Sequence, residues 1–262
     1  MDVKVLVPQF LAQYPEACYE VEVIRKKSIQ STKIFRGLSL IAALSLVVVA
    51  IEFYFLLGPL LIVIIIMLSV AMLNQARWRD EYEIAYKEVY LDNIIRNGFP
   101  LMGYSPKFIL QEDTVSKTEI WPDYKGFIIE NSMPITGYIR KLAVGLCHCM
   151  IKGLRYNSIS AEPLHYGLFM SIEGLPDHLN ETTIKADAAI SKCLGEIEAV
   201  WDGKCSLRKG ANGLWYLLIA NPNPFLKGNI KTSCYNLDEL ERLSNEVHKC
   251  LYLVELLNNY CN

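Results

Sequence analysis

Apolar residues run almost without a break from Leu38 to Leu73, and nowhere else in the 262-residue chain is the pattern so one-sided. The stretch "LSLIAALSLVVVAIEFYFLLGPLLIVIIIMLSVAML" is too long for the core helix of a soluble domain. It is also too long for a single bilayer span, which takes about 20 residues at 1.5 Å each. Two short spans fit it. Proline lacks an N–H and ends the helix before it, and glycine permits a tight turn. The pattern therefore predicts one span over 38–57, a turn at Gly58 and Pro59, and a second span over 60–76. The alternative is one kinked, tilted helix that exports everything after it.

The polar flanks favour the hairpin. Arg25, Lys26, Lys27, Lys33 and Arg36 precede the run, and Arg77 and Arg79 follow it. Basic residues are retained on the cytoplasmic side, so both termini are expected there, in the inner (cytoplasmic) membrane. The run begins too late and lasts too long for an N-terminal signal peptide. Glu52 is the one charge inside it. A carboxylate in hydrocarbon invites a functional reading, as an ion site or a helix contact. Placement near the outer interface suits it better, because Gly58 is only about one and a half turns away and Phe53, Tyr54 and Phe55 resemble an aromatic belt.

The remaining pattern divides the chain into a cytosolic helical segment (1–37), the membrane hairpin (38–76) and a cytosolic domain (77–262). Few breakers occur in "EACYEVEVIRKKSIQSTKIFRG", so that segment should run as helix into the first span, with Tyr14-Pro15 marking its start. Residues 75–98 read as a long helix stopped by Gly98, and 106–117 as a short one. "GFIIENSM", "YIRKLAVGLCHCMI", "YGLFMSIEG" and "TTIKAD" read as strands. "AAISKCLGEIEAVW" has apolar residues at helical spacing. "KCSLRKGANGLWYLLIAN" reads as two strands joined through Gly210, Asn212 and Gly213. The last segment, from Asn236, is an amphipathic helix whose stripe is Leu240, Leu243, Val247, Leu251, Val254 and Leu257. Helices flank the strands rather than alternating with them. The expected class is α+β: a transmembrane helical hairpin followed by a mixed helix and antiparallel-sheet domain.

Composition changes this picture little. A net charge of −2 carries no signal for nucleic acid. The eight cysteines form no Cys-x-x-Cys pair, and a cytosolic domain would keep them as thiols. In "LCHCM", Cys147 and Cys149 would share one strand face and His148 the other, with no second pair to close a metal site. None of His148, His165, His178 and His248 belongs to a hydrolase or metalloprotease pattern. "KGANG" lacks the ending of a phosphate loop. No catalytic, metal or cofactor residue is assigned.

The order of segments carries a resemblance. "YKEVYLDNIIRNGFPLMGYSP", "HYGLFMSIEGLPDHLNETTIKAD" and "GLWYLLIANPNPF" follow a basic helix and a hairpin and precede an amphipathic helix. This resembles the bacterial membrane proteins grouped as domain of unknown function 3137, sometimes given a galanin-like label. The resemblance covers nearly the whole chain, although 114–137 matches it loosely. It implies architecture and no activity. Three function classes follow. The first is a membrane-anchored scaffold or adaptor whose cytosolic domain binds a protein partner. The second is a ligand-sensing effector that oligomerises through its spans, where Ala42, Ala43, Ser45, Ser69 and Ala71 permit close approach. The third is a membrane-tethered enzyme. The scaffold reading leads, with the bilayer and a protein partner or second copy as its partners. Trp121, Tyr124 and Phe225 are its expected binding surface.

Overall fold

The computed structural model describes residues 3–52, 57–105, 110–156, 160–221 and 230–261. They fall into two units. One comprises Leu11–Tyr90 with Gly228–Asn236, and the other Leu91–Lys227 with Met1–Phe10 and Leu237–Asn262.

The helical unit follows from the long apolar run. After α1 (Val3–Gln13), helix α2 spans Pro15–Glu52 and α3 spans Leu57–Tyr86. Both continue well past the apolar stretch on the polar side. Lys27 of α2 stacks its ammonium 4.7 Å above the Trp78 ring of α3. Nearer the start of α2, Cys18 hydrogen-bonds Tyr90. As α2 advances its partners recede, so the helices are antiparallel. Their seam repeats at helical spacing, through Ala42 and Val49 on one side and Ile64, Ala71, Trp78 and Tyr82 on the other. Ala42, Ser45 and Ala71 lie in this seam, whereas Ala43 and Ser69 face outward. Beyond the seam the surface is apolar: Leu40, Leu44, Val47, Ile62, Ile66 and Leu73 are all more than half exposed. A patch of that extent is not stable against water and matches lipid. The chain therefore has two helices long and apolar enough to cross a membrane.

Gly58 and Pro59 are not the turn itself. They are the second and third residues of α3, where a missing proline N–H costs nothing because the first-turn donors have no helical partner. Helix α2 ends at Glu52 and α3 begins at Leu57, and residues 53–56 lie outside the described residues.

At the polar end of α2, Glu22 and Arg25 form a buried two-pronged ion pair, with contacts of 2.8 and 2.6 Å. Arg25 also donates to the Ile230 carbonyl at 2.9 Å, and Glu22 accepts the Cys234 N–H at 3.1 Å. The segment around 230–234 is thus pinned to α2 through charge. Tyr82, Tyr86 and Tyr90 stack along the other helix, with centroids 5.8 and 5.0 Å apart. The last of these lies in a π-helical turn, Lys87–Leu91, that passes into α4 (Asp92–Gly98).

The second unit is built on six antiparallel strands in the order β1-β2-β3-β4-β6-β5. The strands are β1 (Met102–Tyr104), β2 (Tyr124–Ile139), β3 (Leu142–Arg155), β4 (Glu162–Glu173), β5 (Cys205–Lys209) and β6 (Trp215–Ala220). Alternation separates two faces. One carries Phe127, Cys147, Cys149, Ile151, Phe169, Tyr216 and Leu218, closed by Leu110 and by Val115 of α5 (Glu112–Ser116). The other carries Val144, Leu146, Leu168, Met170, Trp215, Leu217 and Ile219. It is covered by the paired helices α7 (Ala188–Trp201) and α8 (Leu237–Leu257), tied where Cys193 Sγ meets the Lys249 carbonyl. Cys147 and Cys149 share a face, as the spacing predicts, and are structural thiols buried in the core.

Two expected elements change. "TTIKAD" is helix α6 (Glu181–Ala186) rather than strand, because Asn180 accepts the Thr183 N–H at 2.8 Å and caps it. "YIRKLAVG" does not open a strand at Tyr138. Tyr138 and Ile139 end β2, and Arg140-Lys141 forms a two-residue hairpin turn with Arg140 left-handed at φ 55.

Candidate functional site

The first sheet face is incompletely covered, and its gap at the β5 side is where the chemistry collects. Period-two alternation sends Lys204, Ser206 and Arg208 to this face beside Leu218 and Ala220 of β6. The start of β4 adds Leu164 and His165. The segment after α5 adds Ile120 and Trp121. That segment is fixed rather than loose. Thr118 Oγ1 donates to the Val115 carbonyl and accepts the Ile120 N–H, while the Thr118 carbonyl takes the Ala211 N–H at 3.0 Å. Together these residues line an open recess of about 190 Å³.

Its floor is apolar and its rim cationic. Trp121 lies with its ring centroid 6.5 Å from that of His165 and 6.3 Å from that of Phe127. His165 is buried, and its Nε2 donates to the Leu168 carbonyl at 3.0 Å, which leaves Nδ1 as the acceptor nitrogen. Burial pushes its pKa down to about 4, so the ring is neutral at pH 7. Arg208 Nε donates to Ser206 Oγ at 3.0 Å. Neither Arg208 nor Lys204 forms an ion pair among the described residues. Nearby acids are already engaged. Glu181 meets Lys185 Nζ at 2.8 Å and the Lys209 N–H at 3.0 Å, and Glu198 accepts the Cys205 N–H at 2.8 Å.

Such a site can hold an apolar group and attract a negative charge beside it. Ser206 Oγ accepts from Arg208 Nε, and no hydrogen bond joins it to His165 among the described residues. Among those residues, no group of three or more His, Cys, Asp or Glu side chains could hold a metal ion. A second recess of about 510 Å³ lies at the far end of the same face, over Thr136, Ala143, Gly145, Ser171 and Glu173.

Carboxylates occupy outward N–H groups at both sheet edges. Outward N–H groups of β5 at Cys205 and Lys209 go to Glu198 and Glu181, and the Tyr104 N–H of β1 goes to Asp92 at 2.8 Å. A ligand strand adding to either edge would have to displace a carboxylate.

No family model, curated protein or solved structure matches the chain.

The residues expected from sequence divide three ways. Trp121 is half-buried and forms a wall of the cavity. Tyr124 is packed beside it but is committed within the domain: its hydroxyl meets Glu162 at 3.2 Å and Arg155 at 3.4 Å, and the Arg155 guanidinium sits 5.5 Å from its ring. Phe225 lies outside the described residues, as does the Glu52 side chain. Lys204, Arg208 and His165 were missed as a group. The alternation in "KCSLRK" carried the signal for the two cations, once that stretch is taken as an edge strand.

Proposed function

We propose that the protein is a membrane-anchored adaptor whose sheet domain captures a protein partner through the Trp121–Arg208 cavity. The observation that supports this reading is the pairing of an apolar, side-chain-sized recess with two cations that form no ion pair among the described residues. A partner would insert an apolar side chain flanked by Asp or Glu. The hairpin would confine the domain to the membrane plane and raise its effective concentration near other membrane proteins. Both termini would lie in the cytosol, with the anchor in the inner membrane. The likeness to the proteins of domain of unknown function 3137 belongs to the same proposal and concerns architecture alone.

The test is site-specific photo-crosslinking from position 206 in the full chain in cells. One discrete adduct is expected, abolished by Arg208→Glu and retained in Lys192→Glu, whose side chain is 80% exposed on α7. An adduct insensitive to Arg208→Glu would remove the cavity from the proposal. Labelling with a membrane-impermeant maleimide tests the topology. A lone cysteine introduced at Gly58 should react in intact cells, whereas a variant keeping only Cys261 should react after permeabilisation.

A further inference from the structure

The second recess, of about 510 Å³, has chemistry opposite to that of the Trp121 recess and lies wholly within the sheet unit. Strand register builds it in two rows. In one, Tyr138 of β2, Ala143 of β3 and Glu173 of β4 sit side by side; in the next, Thr136, Gly145 and Ser171 do so. Antiparallel partners project from the same face, so both rows look into the recess. The middle strand contributes only a methyl group and a hydrogen. Tyr138 and Glu173 stand on the strands either side of it, about 10 Å apart at the backbone. The result is a trough floored by β3, with an aromatic ring on one bank and a carboxylate on the other.

The small residues make the space, and the banks decide what fits it. Three groups there accept rather than donate. Glu173 is exposed and forms no ion pair among the described residues. Ser171 Oγ donates to the Gly145 carbonyl at 3.3 Å, so toward a ligand it offers lone pairs. Tyr138 is 58% exposed, and its ring presents negative faces. Among the described residues no Lys, Arg or His lines the recess. Arg140 and Lys141 turn the hairpin beside it but are not among its lining residues.

An anion here would meet Glu173. A purely apolar group would strip water from the carboxylate and give it no partner. A cation with several N–H donors satisfies all three acceptors. A planar guanidinium does this best: one face lies on the Tyr138 ring while its fork of donors reaches Glu173 and Ser171. A compact ammonium has no flat face to stack. Leu214 and Ala143 supply apolar surface for a short alkyl stem. The volume falls within the range of about 300–1,000 Å³ usual for small-molecule sites.

We propose that this recess binds a small organic cation, a free alkylguanidinium held between the Tyr138 ring and the Glu173 carboxylate. The site is independent of the Trp121–Arg208 recess and of the partner captured there.

The test is calorimetric titration of the full chain in a non-ionic detergent with n-butylguanidinium, n-butylammonium and butan-1-ol. Butylguanidinium should bind saturably, at least about threefold more tightly than butylammonium and tenfold more tightly than the alcohol. Glu173→Gln should weaken it by at least about tenfold, the loss of a charge-assisted hydrogen bond, and Tyr138→Leu by about two- to fivefold. Both side chains are exposed, so unchanged thermal melts should accompany these losses. Glu130→Gln, which removes an equal charge elsewhere on β2, should leave binding unchanged. Absence of saturable butylguanidinium binding by the unaltered chain overturns the proposal. So does undiminished binding in Glu173→Gln, or an equal loss in Glu130→Gln. Tighter binding of an arginine flanked by alanines in a blocked tripeptide overturns the assignment to a free small molecule.

Discussion

The Glu22–Arg25 pair is the sharpest place to test how the helical unit is held together. Arg25 grips Glu22 in two-pronged fashion, and Glu22 in turn holds the Cys234 N–H. The Arg25 hydrogen bonds, opposed by burial and helped by the Cys234 N–H, hold the Glu22 carboxyl down to about 2 from an ordinary 4.5. At about 1.4 kcal/mol per tenfold change in proton affinity, that fall corresponds to roughly 3 kcal/mol. The pair has water close by, since Lys26 stands 4.0 Å from Glu22 and is 70% exposed. Screening therefore reduces the contribution to about 2 kcal/mol. The sign is that of a depressed carboxyl: full stabilisation above about pH 4.5, lost as pH falls toward 2.

Glu22→Gln removes the charge, keeps the shape, and strands Arg25 in a buried position. The assay is hydrogen exchange of the full chain in detergent, followed at the peptide containing Cys234 and corrected for intrinsic rates. The expected change is about 30-fold faster exchange there at pH 7, the equivalent of about 2 kcal/mol. Glu22→Gln/Arg25→Met should recover at least half of that loss, because no unpaired charge remains. Exchange within twofold of the unaltered chain in Glu22→Gln would refute the reasoning. So would protection that does not change between pH 6 and pH 3.

Other predictions concern the sheet unit. His165 is buried and neutral, with its pKa pushed down to about 4, so stability should be full above about pH 6.5 and fall as the pH drops toward 4. The loss should be about 2 kcal/mol at pH 5, and His165→Gln should flatten that part of a pH series of urea melts. Gly167→Ala should cost about 2–4 kcal/mol in the same melts, since a Cβ at φ +150 would lie 1.9 Å from the Ile219 carbonyl oxygen. Glu181→Ala/Glu198→Ala frees the outward N–H groups of β5, and light scattering should then show a concentration-dependent dimer that the unaltered chain does not form.

The architecture was legible wherever hydropathy alone decides it. The run from Leu38 to Leu73 gives the helix pair, and the stripe from Leu240 to Leu257 gives α8. What escaped depends on local chemistry that competes with pattern. Thr182, Thr183 and Ile184 are β-branched, yet Asn180 caps them into a helix. Arg140-Lys141 turns a hairpin with neither glycine nor asparagine, and pairing between Ile139 and Leu142 carries that turn instead. Pro59 breaks helices in their interior but sits comfortably in a first turn, so α3 begins ahead of it, at Leu57. The cavity was half-legible. Trp121 was singled out as a surface aromatic, but its wall depends on Thr118 bonding to Ala211, far along the chain. His165 joins it through the sheet rather than through any short motif.

Carboxylate caps on sheet edges take on a different meaning for a domain tethered to a surface. Molecules held in a plane meet one another far more often than the same number dispersed in a volume, and strand-to-strand zippering grows steeply with such encounters. Asp92, Glu181 and Glu198 occupy donor positions at which zippering would start. Many copies can then crowd into one patch of membrane without seeding a fibre, which leaves the faces of the sheet, and not its rims, free for selective contact.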